Sequence, residues 1–112
     1  MIVLDSSFLV AYHNTRDAHH ETAAGVMARF LDGEWGPGLL LEYVILEVAT
    51  VLMVRRGPRV ASEVIDVLLG ARELDFVPCS ELFLDAVDVF QRQTDTRLSF
   101  VDAAIVHALE RH

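Results

Sequence analysis

Met1-Ile2-Val3-Leu4-Asp5-Ser6-Ser7-Phe8-Leu9-Val10 opens the chain, and its reading decides the rest. The apolar, partly β-branched run Ile2-Val3-Leu4 predicts a strand buried on both faces. Asp5 then ends the strand, and Ser6 or Ser7 can cap a helix that starts at once. Ligands of open α/β sheets bind beyond the carboxyl ends of the strands, so Asp5 is a site candidate by position alone. The competing reading makes Asp5 itself the N-cap.

Working outward, helical and strand-like segments alternate. Ser6 to Tyr12 reads as a short helix, and Asn14 to Asp17 as a polar loop. Asp17 is placed to cap a helix over Ala18 to Leu31, with Ala23, Val26, Met27, Phe30 and Leu31 at helical spacing and Gly33 closing it. His13, His19 and His20 fall here. His19 and His20 are adjacent, so they do not share a helix face, and these histidines read as surface residues. A Gly/Pro-rich turn from Gly33 to Gly38 leads to Leu39-Leu40-Leu41, the second strand. The helix from Tyr43 to Arg55 is apolar almost all round, which predicts deep burial, and Gly57-Pro58 ends it. Arg59 to Leu69 is amphipathic, with Val60, Val64, Val67 and Leu68 turned inward. Leu74 to Val77 is the third strand. Ser80 is placed to cap a helix with Leu82, Phe83, Ala86, Val87 and Phe90 on one face and solvated Asp85 and Asp88 on the other. Ser99 and Asp102 form a capping-box pattern for the last helix, which runs through Leu109. The order β-α-α-β-α-α-β-α-α predicts one α/β domain with a small, mostly parallel sheet flanked by helices.

The composition narrows the function. In 112 residues there are 17 acidic and 9 basic side chains, a net charge of −8, and every basic residue is arginine. That balance opposes non-specific nucleic-acid binding and suits a basic partner or carboxylates gathered round a metal. The apolar fraction is 53% and the mean hydropathy +0.36, an excess that points to apolar surface reserved for a partner. No apolar run has the roughly 18 residues of a membrane span, and no basic region precedes the first apolar run, so no membrane or signal segment is expected. Cys79 is the single cysteine, which fits a reducing, cytoplasmic setting. Arg55, Arg56 and Arg59 cluster where one helix ends and the next begins. Compensation of the helix dipole accounts for them, and a phosphate backbone is the other partner they suit.

Three acids stand out. Asp5 ends the first strand, Glu47 lies in the most apolar helix, and Asp102 lies in the first turn of the last helix. A carboxylate buried unpaired is costly, so Glu47 calls for a partner or a metal. If strand one is central, all three converge at one edge of the sheet. There a hard cation such as Mg²⁺ or Mn²⁺ would neutralise their repulsion and serve phosphoryl chemistry.

The same residues carry a family resemblance. Ile2-Val3-Leu4-Asp5-Ser6-Ser7-Phe8-Leu9-Val10, Leu46-Glu47-Val48 with Ala49-Thr50-Val51-Leu52, and Leu98-Ser99-Phe100-Val101-Asp102-Ala103 resemble, in order and spacing, the motifs of PIN domains, most closely those of VapC-type toxins. The resemblance implies a PIN-like three-layer α/β fold and a Mg²⁺- or Mn²⁺-dependent endoribonuclease, the toxin of a type II toxin–antitoxin pair. It implies that Asp5, Glu47 and Asp102 are catalytic metal ligands supported by the Ser6 hydroxyl. It further implies a homodimer, an RNA substrate and a cognate antitoxin that lays an apolar segment in a groove and reaches the acids with a basic side chain. The family's domain usually continues into a short strand and a loop with a fourth acid. This sequence stops at His112, so the expectation is a single domain over 1–112 without that strand, with a sheet edge open for pairing. Asp95 does not replace the fourth acid.

Two other readings compete. A catalytically weak PIN-like module would bind a protein partner even after loss of Asp5. A phosphotransfer enzyme would use Asp5 as nucleophile, but such sites need a second acid two residues on, where this chain has Ser7.

Overall fold

The computed structural model describes Met1–Arg111. In chain order its elements are β1 (Ile2–Val3), α1 (Ser6–His13), α2 (His20–Leu31), β2 (Gly38–Leu41), α3 (Glu42–Arg56), α4 (Pro58–Gly70), β3 (Leu74–Val77), α5 (Cys79–Gln91) and α6 (Phe100–Arg111). The strands form a parallel sheet in the order β1-β2-β3, with Ile2 opposite Gly38 and Gly38 opposite Leu74. β2 is therefore the central strand. All four of its residues are buried, because neighbouring strands flank β2 and helices pack over it, whereas Asp75 and Phe76 on the edge strand β3 are exposed. Parallel neighbours require crossovers, and the helix pairs α1–α2 and α3–α4 supply them. The α/β expectation holds. The condition under which the three acids would converge, a central strand one, is not met: among the described residues β1 is an edge strand, and β2 takes the middle.

The core joins Leu4, Leu9, Leu40, Leu41, Val44, Val48, Leu52 and Leu82. Gly38 lets α2 approach the sheet, since a Cβ at this position would lie 2.8 Å from the Phe30 ring and 3.0 Å from Leu74. Gly57, at φ +91°, turns the chain from α3 into α4, where Pro58 occupies the first turn. The remaining helices pair with each other, α5 on α6, and α6 packs on β1.

Several boundaries and faces differ from expectation, each for a local reason. Asp17 does not cap α2. Its Oδ1 accepts from His19 N at 2.8 Å, closing a turn two residues long, and the helix starts at His20. Ser80 does not cap α5 either. It lies inside the first turn, and Glu42 Oε1, from α3, accepts the Cys79 N–H at 2.8 Å. Neither α3 nor α5 is buried as its composition predicts. Leu46, Met53 and Val54 on α3, and Phe83 and Phe90 on α5, are exposed, because only one side of each helix meets the core. On α4, Ala61 joins Val64 and Leu68 on the buried face, while Val67, expected inward, is exposed. His20 is not a free surface group, since its Nδ1 lies 2.9 Å from the Ala11 carbonyl. His13 is half-buried against Tyr12, and burial holds its pKa below the usual 6.5.

Candidate active site

The site begins where β1 gives way to α1. Leu4 N donates to Leu39 O, which ties this segment to the sheet, and the chain then turns at Asp5. Asp5 is extended and is the N-cap of α1: its Oδ1 accepts from Phe8 N at 3.2 Å and from Ser7 Oγ at 2.7 Å. The helix-capping reading of Asp5 is thus correct, and the Ser6 or Ser7 cap is replaced by it. Capping occupies one carboxylate oxygen and leaves the other open, so a cap and a ligand are compatible roles.

Ser6, the first residue of α1, instead faces α3. Its Oγ donates to Glu47 Oε2 at 2.6 Å. Glu47 is half-buried beside this hydroxyl, and among the described residues no arginine pairs with it. Ser6 therefore links the acid at the end of β1 to the acid on α3.

Asp102 comes from α6. Asp102 N donates to Ser99 Oγ at 3.1 Å, and Ser99 N donates to Asp102 Oδ2 at 3.3 Å, a reciprocal capping box with Asp in the usual Glu position. Phe100 meets Tyr43 edge-on, with ring centroids 5.5 Å apart. Tyr43 and Glu47 are four residues apart and share a face of α3, so this contact brings the start of α6 to the end of α3 that carries Glu47.

The three acids share one pattern. Each fixes one oxygen with a hydrogen bond from the protein, and among the described residues the other oxygen accepts none. The open donors are all oxygen, the type preferred by Mg²⁺ and Mn²⁺, so the chemistry of the donor set suits such an ion. Among the described residues, however, no three His, Cys, Asp or Glu side chains are gathered closely enough to enclose one. Asp5 and Glu47 are coupled through Ser6, while Asp102 stands on its own capping box.

A groove of about 480 Å³ runs from Ser6 and Ser7 past Val51 to Arg55, Asp17 and His19. A shallower hollow over Leu46, Glu47, Thr50 and Val51 adjoins it at Val51. The family resemblance implied a groove for an apolar segment, but the sequence did not name the residues that line it. Cys79 adds no nucleophile to this region, since burial holds its thiol above its ordinary pKa.

Comparison with known proteins bears on the family and the fold. The PIN domain family model matches residues 2–112. The crystal structure of Mycobacterium tuberculosis VapC20, a sarcin–ricin loop cleaving toxin, superposes with a TM-score of 0.85 at 25% identity, covering 99% of this chain and 82% of that one. Among curated proteins, no sequence matches this chain.

Proposed function

Since this chain belongs to the PIN domain family, we propose that it is a metal-dependent endoribonuclease, the toxin of a type II toxin–antitoxin pair, that hydrolyses RNA phosphodiester bonds. The observation that carries the reading is the shared pattern of Asp5, Glu47 and Asp102, each anchored by one oxygen and open at the other. Carboxylates are anchored this way where their direction matters, because outer hydrogen bonds orient metal ligands. The likeness to the VapC20 toxin supports the same conclusion.

Asp5, Glu47 and Asp102 would hold Mg²⁺ or Mn²⁺, and Ser6 would fix the rotamer of Glu47. Such an ion activates water and stabilises charge on a phosphoryl group in transfer. The protein's own part is placement: the α1 cap sets Asp5, the Ser6 hydroxyl sets Glu47, and the Ser99 box sets Asp102.

The partners follow from the surface. The groove beside the acids is lined largely by apolar residues such as Phe8, Val26 and Val51, and it suits an apolar antitoxin segment with a basic side chain directed at the carboxylates. Exposed Leu46, Met53 and Val54 offer α3 an apolar face, which favours a homodimer. A lone cysteine suits the cytoplasm, and no described helix is long and apolar enough to cross a membrane.

The test uses the full chain with a synthetic sarcin–ricin stem–loop RNA and, separately, total RNA. Cleavage should require Mn²⁺ or Mg²⁺ and should be lost in Asp5→Asn and Glu47→Gln. Asparagine still caps a helix, so Asp5→Asn keeps the fold while removing the charge. Undiminished cleavage in excess chelator, or by Asp5→Asn, would overturn the reading. Partner binding that survives Asp5→Asn, with no cleavage by the parent chain, would instead favour the protein-binding module.

A further inference from the structure

Four of the nine basic residues, Arg16, Arg55, Arg56 and Arg59, lie in the α1–α2 loop and at the α3–α4 junction, which Arg56 ties together through Asn14; of the four, Arg55 lines the far end of the groove. Glu47, Val51 and Arg55 follow one another at four-residue spacing on one face of α3. At 1.5 Å per residue, Arg55 stands about 12 Å along the helix from Glu47.

The way these guanidinium groups are held is informative. Asn14 is only 5% exposed and is the one buried polar residue among those described. Its Oδ1 accepts from Arg56 Nη1 at 2.9 Å and from Arg16 N at 3.1 Å. A half-buried arginine would ordinarily be given a carboxylate. Here a neutral amide orients Arg56 and cancels none of its charge, and among the described residues no carboxylate lies within ion-pair distance of Arg56 or Arg16. Arg55 reaches Asp17 only at 3.7 Å. Arg59 is bound to Glu63 in a fully solvated i,i+4 pair that holds it weakly.

The geometry points to a phosphate-binding site for the RNA backbone at this end of the groove, with Arg55 on its wall and the charge of Arg56 and Arg16 beside it. It holds the strand about two helical turns of α3 from the acids, and so helps to set which phosphodiester bond they meet. This inference rests on the RNA-cleaving reading. A chain of net charge −8 repels a polyanion as a whole, so a strand led to three carboxylates needs a local cationic hold. Arginine's forked donors suit phosphate oxygens.

Asn14→Asp and Arg56→Gln test it together. Aspartate is nearly isosteric, keeps the acceptor for Arg56 and Arg16 N, and neutralises Arg56 without removing a side chain. Binding of a fluorescent RNA stem–loop is followed by anisotropy between roughly 50 and 200 mM salt, in an Asp5→Asn background that does not cut. Each substitution should weaken binding about 3- to 10-fold at the low-salt end and make the log–log salt slope shallower by about 0.7 to 0.9. In the cutting chain, KM should rise while kcat changes little. Arg92→Gln, at the residue that ends α5, should leave all of these unchanged. RNA binding and slope as in the parent for both Asn14→Asp and Arg56→Gln would overturn the inference while leaving the nuclease reading intact. Loss of affinity only for an acidic protein partner would also overturn it, assigning the arginines to that partner. A parent chain that neither binds nor cuts RNA would overturn both.

Discussion

Ser6 Oγ donates to Glu47 Oε2 at 2.6 Å, joining the first residue of α1 to a residue of α3 that lies 41 positions later in the chain. This one bond makes the end of β1 and the middle of α3 parts of the same site. It also leaves Glu47 Oε1 with no protein partner among the described residues, so the carboxylate is aimed without being consumed.

Ser6→Ala should separate positioning from folding. Loss of this hydrogen bond to a half-buried carboxylate should cost about 1 to 3 kcal/mol of stability. Loss of an outer-shell partner of a metal ligand should lower metal affinity or activity by about 10- to 100-fold. A Mn²⁺ titration of cleavage, set beside a thermal melt, reads both. Parent-like Mn²⁺ dependence would show that the Ser6 bond is only a helix–helix contact.

Divalent metal should stabilise the chain, because it binds the folded state and not the unfolded one. At a free Mn²⁺ concentration about 100 times its Kd the gain is about 2.7 kcal/mol. For a domain of this size that corresponds to a rise in Tm of about 10 °C. The rise should vanish in Glu47→Gln. Differential scanning fluorimetry with Mn²⁺, and with Ca²⁺ and EDTA as comparisons, checks this.

Asp102 has two roles that substitution can pull apart. Asp102→Ala removes the capping-box acceptor for Ser99 N and should cost about 0.5 to 2 kcal/mol, together with cleavage. Asp102→Glu installs the usual capping-box residue, so stability should hold or rise. The longer side chain moves the open oxygen, however, and cleavage should still fall. Denaturant melts and initial rates on both variants decide it.

His13 should make stability depend on pH. Burial lowers its folded pKa below 6.5, so the unfolded chain takes up a proton first as the solution is acidified. Below about pH 6.5 the unfolded state holds more protons, and stability falls with pH until the folded pKa is passed. Above that window the group contributes nothing. His13→Phe should flatten the slope between roughly pH 7 and 5 in urea melts, and an unchanged slope would assign it to other groups.

The chain's own pattern determined which segments are strands and helices, where Gly57 and Pro58 break it, and that Asp5 and Asp102 sit at helix starts. These are matters of periodicity and capping, set by sterics and hydrogen bonds within about four residues. Helix faces were less legible. Leu46, Met53 and Val54 are as apolar as Val44 and Val48, and only the packing of α1, α4 and β2 against α3 decided which of them is buried. Partners distant in sequence were not legible at all. Nothing near Ser6 announces Glu47, nothing near Asn14 announces Arg56, and nothing near Cys79 announces the Glu42 carboxylate that receives its N–H. Those pairings depend on how the crossover helices settle on β2, and that is a property of the packed whole rather than of any local run of residues.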